Sequence, residues 1–281
     1  MDFINLILNL AALLLWLSWR WLRVDPVGSG TPATLAGTLR RAEPSRLRGW
    51  HLLACMAVLL ALRALIYTWI GPSVVWTPTL RLGAIRIPFR SDVATLTLLY
   101  SLLSFVLTLG AFYLCLLLLS LFDSRSADGE PLRKIIRIHL GWVDRWPWPL
   151  KLILPLLLVL TSWSAASLLF DHLKMIPPPK SGLHRLEQGV VLGLSFYLWA
   201  KYFIVAVLSL YLLSSYVYLG NQTFWNLVAV TGRNLLLPLR PIPLQLGKLD
   251  FAPILGIGLI LIGAFYAERG LVVLYARLPI R

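Results

Sequence analysis

Acidic side chains are scarce in this chain. Twelve Asp and Glu stand against 26 Lys and Arg in 281 residues, and charged residues of both signs make up only 14% of the sequence. A soluble domain carries about a quarter charged residues, so a chain this poor in charge does not present an ordinary water-facing surface. Cysteine is scarcer still. Cys55 and Cys115 are the only two, and both lie inside apolar runs, where a thiol behaves as a small apolar residue rather than a ligand or a disulfide partner. The four histidines, His51, His139, His172 and His184, fall in loops or near span ends without H-E-x-x-H spacing, and C-x-x-C is absent. They do not pair across spans as a b-type haem would need, so neither a metal site nor a haem site is expected. No glycine-rich phosphate loop and no nucleophile elbow occurs. The expectation is a protein without catalytic residues, cofactor or metal.

Hydrophobicity is what the chain has in excess, at 58% of residues. Six stretches are long enough to cross a hydrocarbon layer that takes about 20 apolar residues: 3–22, 50–70, 94–122, 149–170, 190–219 and 251–276. The predicted fold class is an all-α polytopic membrane protein of six spans. The first span has no basic segment ahead of Phe3 and ends in Leu17-Ser18-Trp19-Arg20, which reads as a retained anchor rather than a cleaved signal. Its loops are too short for a separate soluble domain.

The net charge of +14 has two classes of partner, nucleic acid and anionic lipid. The basic residues are scattered over loops flanking apolar spans rather than gathered in one patch, which favours lipid headgroups and argues against nucleic acid. The first, third and fifth loops hold thirteen Lys and Arg, against eight for the other loops and the C-terminus. By the positive-inside rule those three loops face the cytoplasm and both termini lie outside. Residues 24–48 read as a surface linker. Residues 79–87, TLRLGAIRI, suit either a small β-hairpin with Arg81 and Arg86 on one face or an irregular interfacial loop.

Two segments look like related hairpins of spans. LCLLLLSLF leads through a basic amphipathic segment to Asp144-Arg145-Trp146-Pro147, and LLSSYVYLG leads through a similar segment to Asp250-Phe251-Ala252-Pro253, so spans four and six are both entered through D-x-x-P. An internal duplication accounts for this. It divides the chain into 1–93 with two N-terminal spans, 94–170 with a first hairpin and 171–281 with a second. At a helix start an Asp can accept bonds from free backbone N–H groups, and Pro in the first turn loses no intrahelical bond. A structural role as caps therefore suffices for Asp144 and Asp250. Ahead of the first entry, 131–142 places Leu132, Ile135, Ile136 and Leu140 on one face and Arg133, Lys134 and Arg137 on the other. That is the pattern of a helix lying on anionic lipid, with Trp142, Trp146 and Trp148 at headgroup depth. The second copy, 223–237, is less basic and stops at Pro238-Leu239-Arg240-Pro241-Ile242-Pro243, which cannot continue a regular helix.

The order Arg233, Pro238-Leu239-Arg240-Pro241, Pro243, Gly247 and Leu249-Asp250-Phe251-Ala252-Pro253, followed by an apolar helix, resembles the YggT family of small integral membrane proteins, called YlmG in photosynthetic lineages. Its repeat is two spanning helices joined by a P-x-R-x-x-P and L-D-x-S-P loop. The resemblance covers 190–276 and, in weaker form, 94–170, where Asp144 and Pro147 remain and the P-L-R-P element is absent; 1–93 lies outside it. Ala252 stands where the family has Ser. What the resemblance implies is a role rather than a reaction: osmotic or ion homeostasis, cell division and nucleoid organisation, or assembly of membrane cytochrome complexes. The location it implies is the bacterial cytoplasmic (inner) membrane.

Ionisable residues inside spans are the independent clue, since each is costly in hydrocarbon unless paired or hydrated. They are Arg63, Lys201, Glu268 and Arg269. In an antiparallel hairpin of spans five and six, Lys201 and Glu268 both fall about 25–27 Å from the same face at 1.5 Å per residue. An ion pair across the hairpin is predicted, the alternative being that both snorkel to water. Arg63 has no evident partner in the sequence. Gly189 and Gly193 form a G-x-x-x-G, and Gly256, Gly258 and Gly263 dot span six, a pattern that suits internal helix packing. Two function classes follow: a non-enzymatic scaffold or accessory subunit that binds lipids and other membrane subunits, or a small transporter or channel. A transporter needs water at Lys201 and Glu268. A scaffold needs them only paired and dry.

Overall fold

A computed structural model describes residues 2–24, 46–73, 76–122, 136–217, 223–239, 245–246 and 249–279. Its helices are α1 (Asp2–Val24), α2 (Arg46–Ile70), α3 (Ala94–Phe122), α4 (Trp148–His172), α5 (Gly182–Tyr197), α6 (Ala200–Tyr216), α7 (Thr223–Leu235) and α8 (Ala252–Ala276). Six stretches are long and apolar enough to cross a membrane, with α5 and α6 together making the fifth, from Gly182 to Tyr216. The chain is an all-α polytopic helical membrane protein.

Chain contacts divide the molecule into two units, Met1–Leu80 with Pro88–Gly110, and Arg81–Ile87 with Ala111–Arg281. In the first unit α1 packs along α2, and Ala12, Leu60 and Phe105 form a core flanked by Trp16, Met56, Leu59 and Leu109. The buried Ser101 hydroxyl donates to Leu60 O at 3.0 Å, fastening α3 to α2. In the loop before α3, the exposed Arg90 guanidinium pairs with Asp92 at 2.6 Å and holds that carboxyl below its ordinary range.

In the second unit α4 packs along α5, and α6 packs along α7 and α8. Small residues permit the first of these contacts. Gly189 lies against Leu160, and Gly193 against the Leu156 backbone, 3.3 Å from where a Cβ would stand. Close approach of this kind is what replaces the hydrophobic effect as the force between helices in lipid. Ser181 caps α5 by accepting from His184 N–H at 3.1 Å. Pro147 precedes α4, and Pro155 sits inside it, where it removes the bond to the Lys151 carbonyl that a regular helix would make.

Between α5 and α6 the helix tightens rather than ends. Leu198 and Trp199 donate to Ser195 O and Phe196 O, and Lys201 and Tyr202 donate to Leu198 O and Trp199 O, at 3.1–3.2 Å. These are i→i−3 bonds, a single 3₁₀ step in a run of helix. The fifth span therefore starts at Gly182 and not at 190. The polar residues that mask its start, His184 and Gln188, are buried and bonded to each other at 2.8 Å.

The 79–87 segment is a hairpin, β1 (Thr79–Leu82) with β2 (Ile85–Pro88), and Arg81 and Arg86 are both exposed. Gly83 turns it at φ 62°. Within the second unit that glycine sits directly on Ser195, where a Cβ would overlap the serine side chain. After α7, a 3₁₀ turn (Leu237–Leu239) is followed by a two-stranded ladder, β3 (Gln245–Leu246) and β4 (Leu249–Asp250), in the register Gln245↔Asp250 and Leu246↔Leu249.

Candidate functional site

Three clusters of polar side chains join helices among the described residues. In the first unit Arg63, from α2, is 1% exposed. Its Nη1 donates to Asn9 Oδ1 at 2.6 Å and its Nη2 to Asn5 Oδ1, both on α1. The two amides in turn donate to Ser104 Oγ on α3, Asn9 at 2.9 Å and Asn5 at 3.4 Å. The guanidinium carbon lies 5.5 Å from the Tyr67 ring centroid and 5.7 Å from that of Tyr100. Trp76 stands edge-on to both tyrosines. The cation is thus held by amide dipoles and ring quadrupoles, and no carboxylate pairs with it among the described residues. Asn5 and Asn9, one helical turn apart on an apolar helix, were the readable signal for this partner. A search confined to ionisable residues passes over them.

The second cluster joins the end of α3 to the start of α4. Lys151 Nζ donates to Ser120 Oγ at 2.6 Å, Ser120 Oγ donates to Asp144 Oδ1 at 2.7 Å, and Lys151 Nζ is 3.6 Å from that carboxylate. Lys151 and Ser120 are buried. Asp144 is therefore not the helix cap expected of it. It lies in a 3₁₀ turn, Gly141–Arg145, and the capping position of α4 is Pro147, with no side-chain cap. A carboxylate seven residues before a buried lysine is better satisfied by that charge than by backbone amides. The backbone of Asp250 is placed just ahead of the last span. It sits in β4 opposite Gln245, one residue before Phe251, the capping position of α8.

The third cluster is the pair expected from span arithmetic. Lys201 Nζ and Glu268 Oε2 are 3.1 Å apart, joining α6 to α8, with the carboxylate side chain about half exposed at 49%. Arg269 beside it is exposed and stacks over Phe265, 4.2 Å from the ring centroid.

The motif residues are dispersed. Arg233 is exposed in the last turn of α7, Pro238 is exposed in the 3₁₀ turn, and Pro253 is buried in the first turn of α8. Arg240, Pro241, Pro243 and Gly247 lie outside the described residues, as do Arg133 and Lys134. Of the amphipathic segment 131–142, residues 136–140 are helical. Arg137 is exposed, and Ile136, Ile138, His139 and Leu140 are buried, with Ile136 and Leu140 packed on Leu116 and Leu117 of α3. No group of His, Cys, Asp and Glu suited to a metal ion occurs among the described residues. No protein-family model, no curated protein and no solved structure matches the chain.

Proposed function

We propose that this integral membrane protein is a non-enzymatic scaffold or accessory subunit, similar to the YggT family, that helps to hold or assemble a membrane complex in the bacterial cytoplasmic membrane, with both termini outside. One observation carries the reading. Arg63, Lys151 and Lys201, three of the cations inside spans, each end on a polar side chain of the same chain. Ion and solute pathways leave charges free to exchange partners with water or substrate. Charges spent on Asn, Ser, Asp and Glu of the same chain serve to fasten helices to one another. The apolar exterior and the interfacial tryptophans Trp142 and Trp148, 75% and 68% exposed, then leave lipid and neighbouring membrane subunits as the partners.

A small transporter or channel is the second reading, favoured by one feature. The 3₁₀ step at Leu198–Trp199 lies just before Lys201, and local departures from α-helix geometry beside intramembrane charges occur along transport paths. The test is to tag the C-terminus, extract membranes in a mild detergent and identify by mass spectrometry what migrates with the protein on a native gel. A stoichiometric complex containing another protein is the expected result. Its absence, together with ion flux in liposomes that Lys201→Met abolishes, would replace the scaffold with the transporter.

A further inference from the structure

The connection between α2 and α3 carries three arginines, Arg81, Arg86 and Arg90, and one carboxylate, Asp92. That carboxylate is taken. Arg90 holds it through two bonds, Nη2 to Oδ2 at 2.6 Å and Nε to Oδ1 at 3.1 Å. Arg81 and Arg86 are exposed, and neither makes an ion pair or a side-chain hydrogen bond among the described residues.

The ladder fixes how these two stand to each other. Phe89 N–H donates to Pro78 O at 2.7 Å, which prolongs the pairing of β1 with β2 and puts Leu80 opposite Ile87, Arg81 opposite Arg86 and Leu82 opposite Ile85. The two-residue loop is Gly83-Ala84, with Gly83 at φ 62° in its first position, the pattern of a type II′ turn. Bonded pairs alternate with unbonded ones along an antiparallel ladder. Pro78 and Phe89 are a bonded pair, so Arg81 and Arg86 are an unbonded one, the class with the closest side chains and Cβ atoms about 4.5–5.5 Å apart. Two guanidinium groups therefore share one face with no acid between them. Like charges directly opposite each other work against a hairpin, and this hairpin cannot relieve them by slipping. Leu80 and Ile87, on its other face, are 4% and 1% exposed, and a one-residue slip would exchange them with the arginines. At the tip, Gly83 is seated on Ser195.

We propose that Arg81 and Arg86 form a binding site for the phosphate of an anionic phospholipid. A phosphodiester has two unesterified oxygens, and guanidinium forks on neighbouring strands can each bond one of them while its charge offsets both. The connection runs only from Ile70 to Ala94, between two spanning helices, so it is tied at both ends to the membrane surface, within reach of headgroup phosphates. Trp69, in the last turn of α2, is 87% exposed and is the aromatic anchor that suits a helix end at headgroup level. The inference concerns one lipid contact and stands apart from the scaffold and transporter readings, since neither a protein partner nor ion flux bears on it.

The test uses the full chain in an uncharged detergent, titrated with phosphatidylglycerol, with phosphatidylcholine and with inorganic phosphate. Lipid adducts are read by native mass spectrometry and the thermal midpoint is followed in parallel. Phosphatidylglycerol is expected to bind more tightly than phosphatidylcholine, whose choline brings a cation toward the arginines, and inorganic phosphate at equal concentration is expected not to displace it. Arg81→Gln or Arg86→Gln should weaken the first phosphatidylglycerol adduct about fivefold, and the two together about thirtyfold. Arg90→Gln, whose charge is engaged by Asp92, should change it by less than about twofold. The lipid-free midpoint moves the other way. Removing one of two like charges should raise it by about 1–2 °C while shrinking the rise that phosphatidylglycerol produces, whereas a purely structural role for the arginines would lower both. Equal binding of the two lipids, displacement by inorganic phosphate, a first adduct indifferent to the Arg81 and Arg86 substitutions, an equal loss in Arg90→Gln, or a lower lipid-free midpoint in Arg86→Gln would each overturn the proposal.

Discussion

Asn9→Leu tests whether neutral amides hold the buried Arg63. The substitution keeps the branched heavy-atom skeleton and suits an apolar helix, so propensity is not at issue. It removes a 2.6 Å bond from the guanidinium and a 2.9 Å bond to Ser104 Oγ. A hydrogen bond to a charged group is worth about 1.5–3 kcal/mol and a neutral one about 1 kcal/mol. In a membrane the unfolded helices find other partners, and measured values shrink to about 0.6–1.7 kcal/mol per bond. The expected loss is therefore about 2 kcal/mol. Arg63→Leu alone strands both asparagine carbonyls and costs a similar amount. The double variant Arg63→Leu/Asn9→Leu leaves neither a bare cation nor a bare carbonyl at that contact, so it should be less destabilised than the sum of the singles by about 1–2 kcal/mol. The assay is SDS titration in mixed micelles followed by tryptophan fluorescence, with all four proteins forming one cycle. Additivity within about 0.5 kcal/mol, the scale at which independent sites add, would show that the pair is not coupled and would refute the account of Arg63.

Other outcomes follow from the remaining contacts. Lys151→Met should destabilise by about 1–2 kcal/mol and Lys151→Met/Asp144→Asn by less than the two singles combined, since each single leaves one member of the triad without its charge partner; a neutral Lys151→Met in the same titration would contradict the triad. Lys201→Met should cost about 1 kcal/mol or less because the pair is partly exposed, and the exchange Lys201→Glu/Glu268→Lys should recover most of it; failure of the exchange to recover anything would argue that position rather than pairing matters. Gly83→Ala should lower the thermal midpoint in detergent, with about 1 kcal/mol from the left-handed backbone alone and more from overlap with Ser195. Ser195→Gly in the same chain should return only the overlap part, and an unchanged midpoint for Gly83→Ala would mean that the hairpin tip does not rest on α5.

Span positions were legible because a run of about 20 apolar residues has few other uses, and five of the six were placed to within a few residues. The fifth was started late since His184, Arg185, Glu187 and Gln188 read as a loop, whereas His184 and Gln188 satisfy each other inside the helix. Lys201 and Glu268 could be matched by counting, as both lie on regular helices that pack along each other. Asp144 could not be matched to Lys151, because their approach depends on a 3₁₀ turn and Pro147 between them. The partner of Arg63 went unread for a different reason. Hydropathy counts an Asn in an apolar run as a minor blemish, although two of them one turn apart make a cradle.

The unbroken course of α5 into α6 sets a length problem for any bilayer that holds it. Thirty-five residues at 1.5 Å each reach about 52 Å, against a hydrocarbon thickness of about 30 Å. Tilting within the usual range, up to about 40°, shortens its projection only to about 40 Å. About a quarter of that projection must therefore stand in the headgroup layer or beyond it, and the first turns, with Arg185 and Glu187, are chemically suited to do so. The free energy of a span this long depends on hydrocarbon thickness. The protein's stability should therefore rise from short-chain to long-chain phosphatidylcholine vesicles, which take in more of the helix.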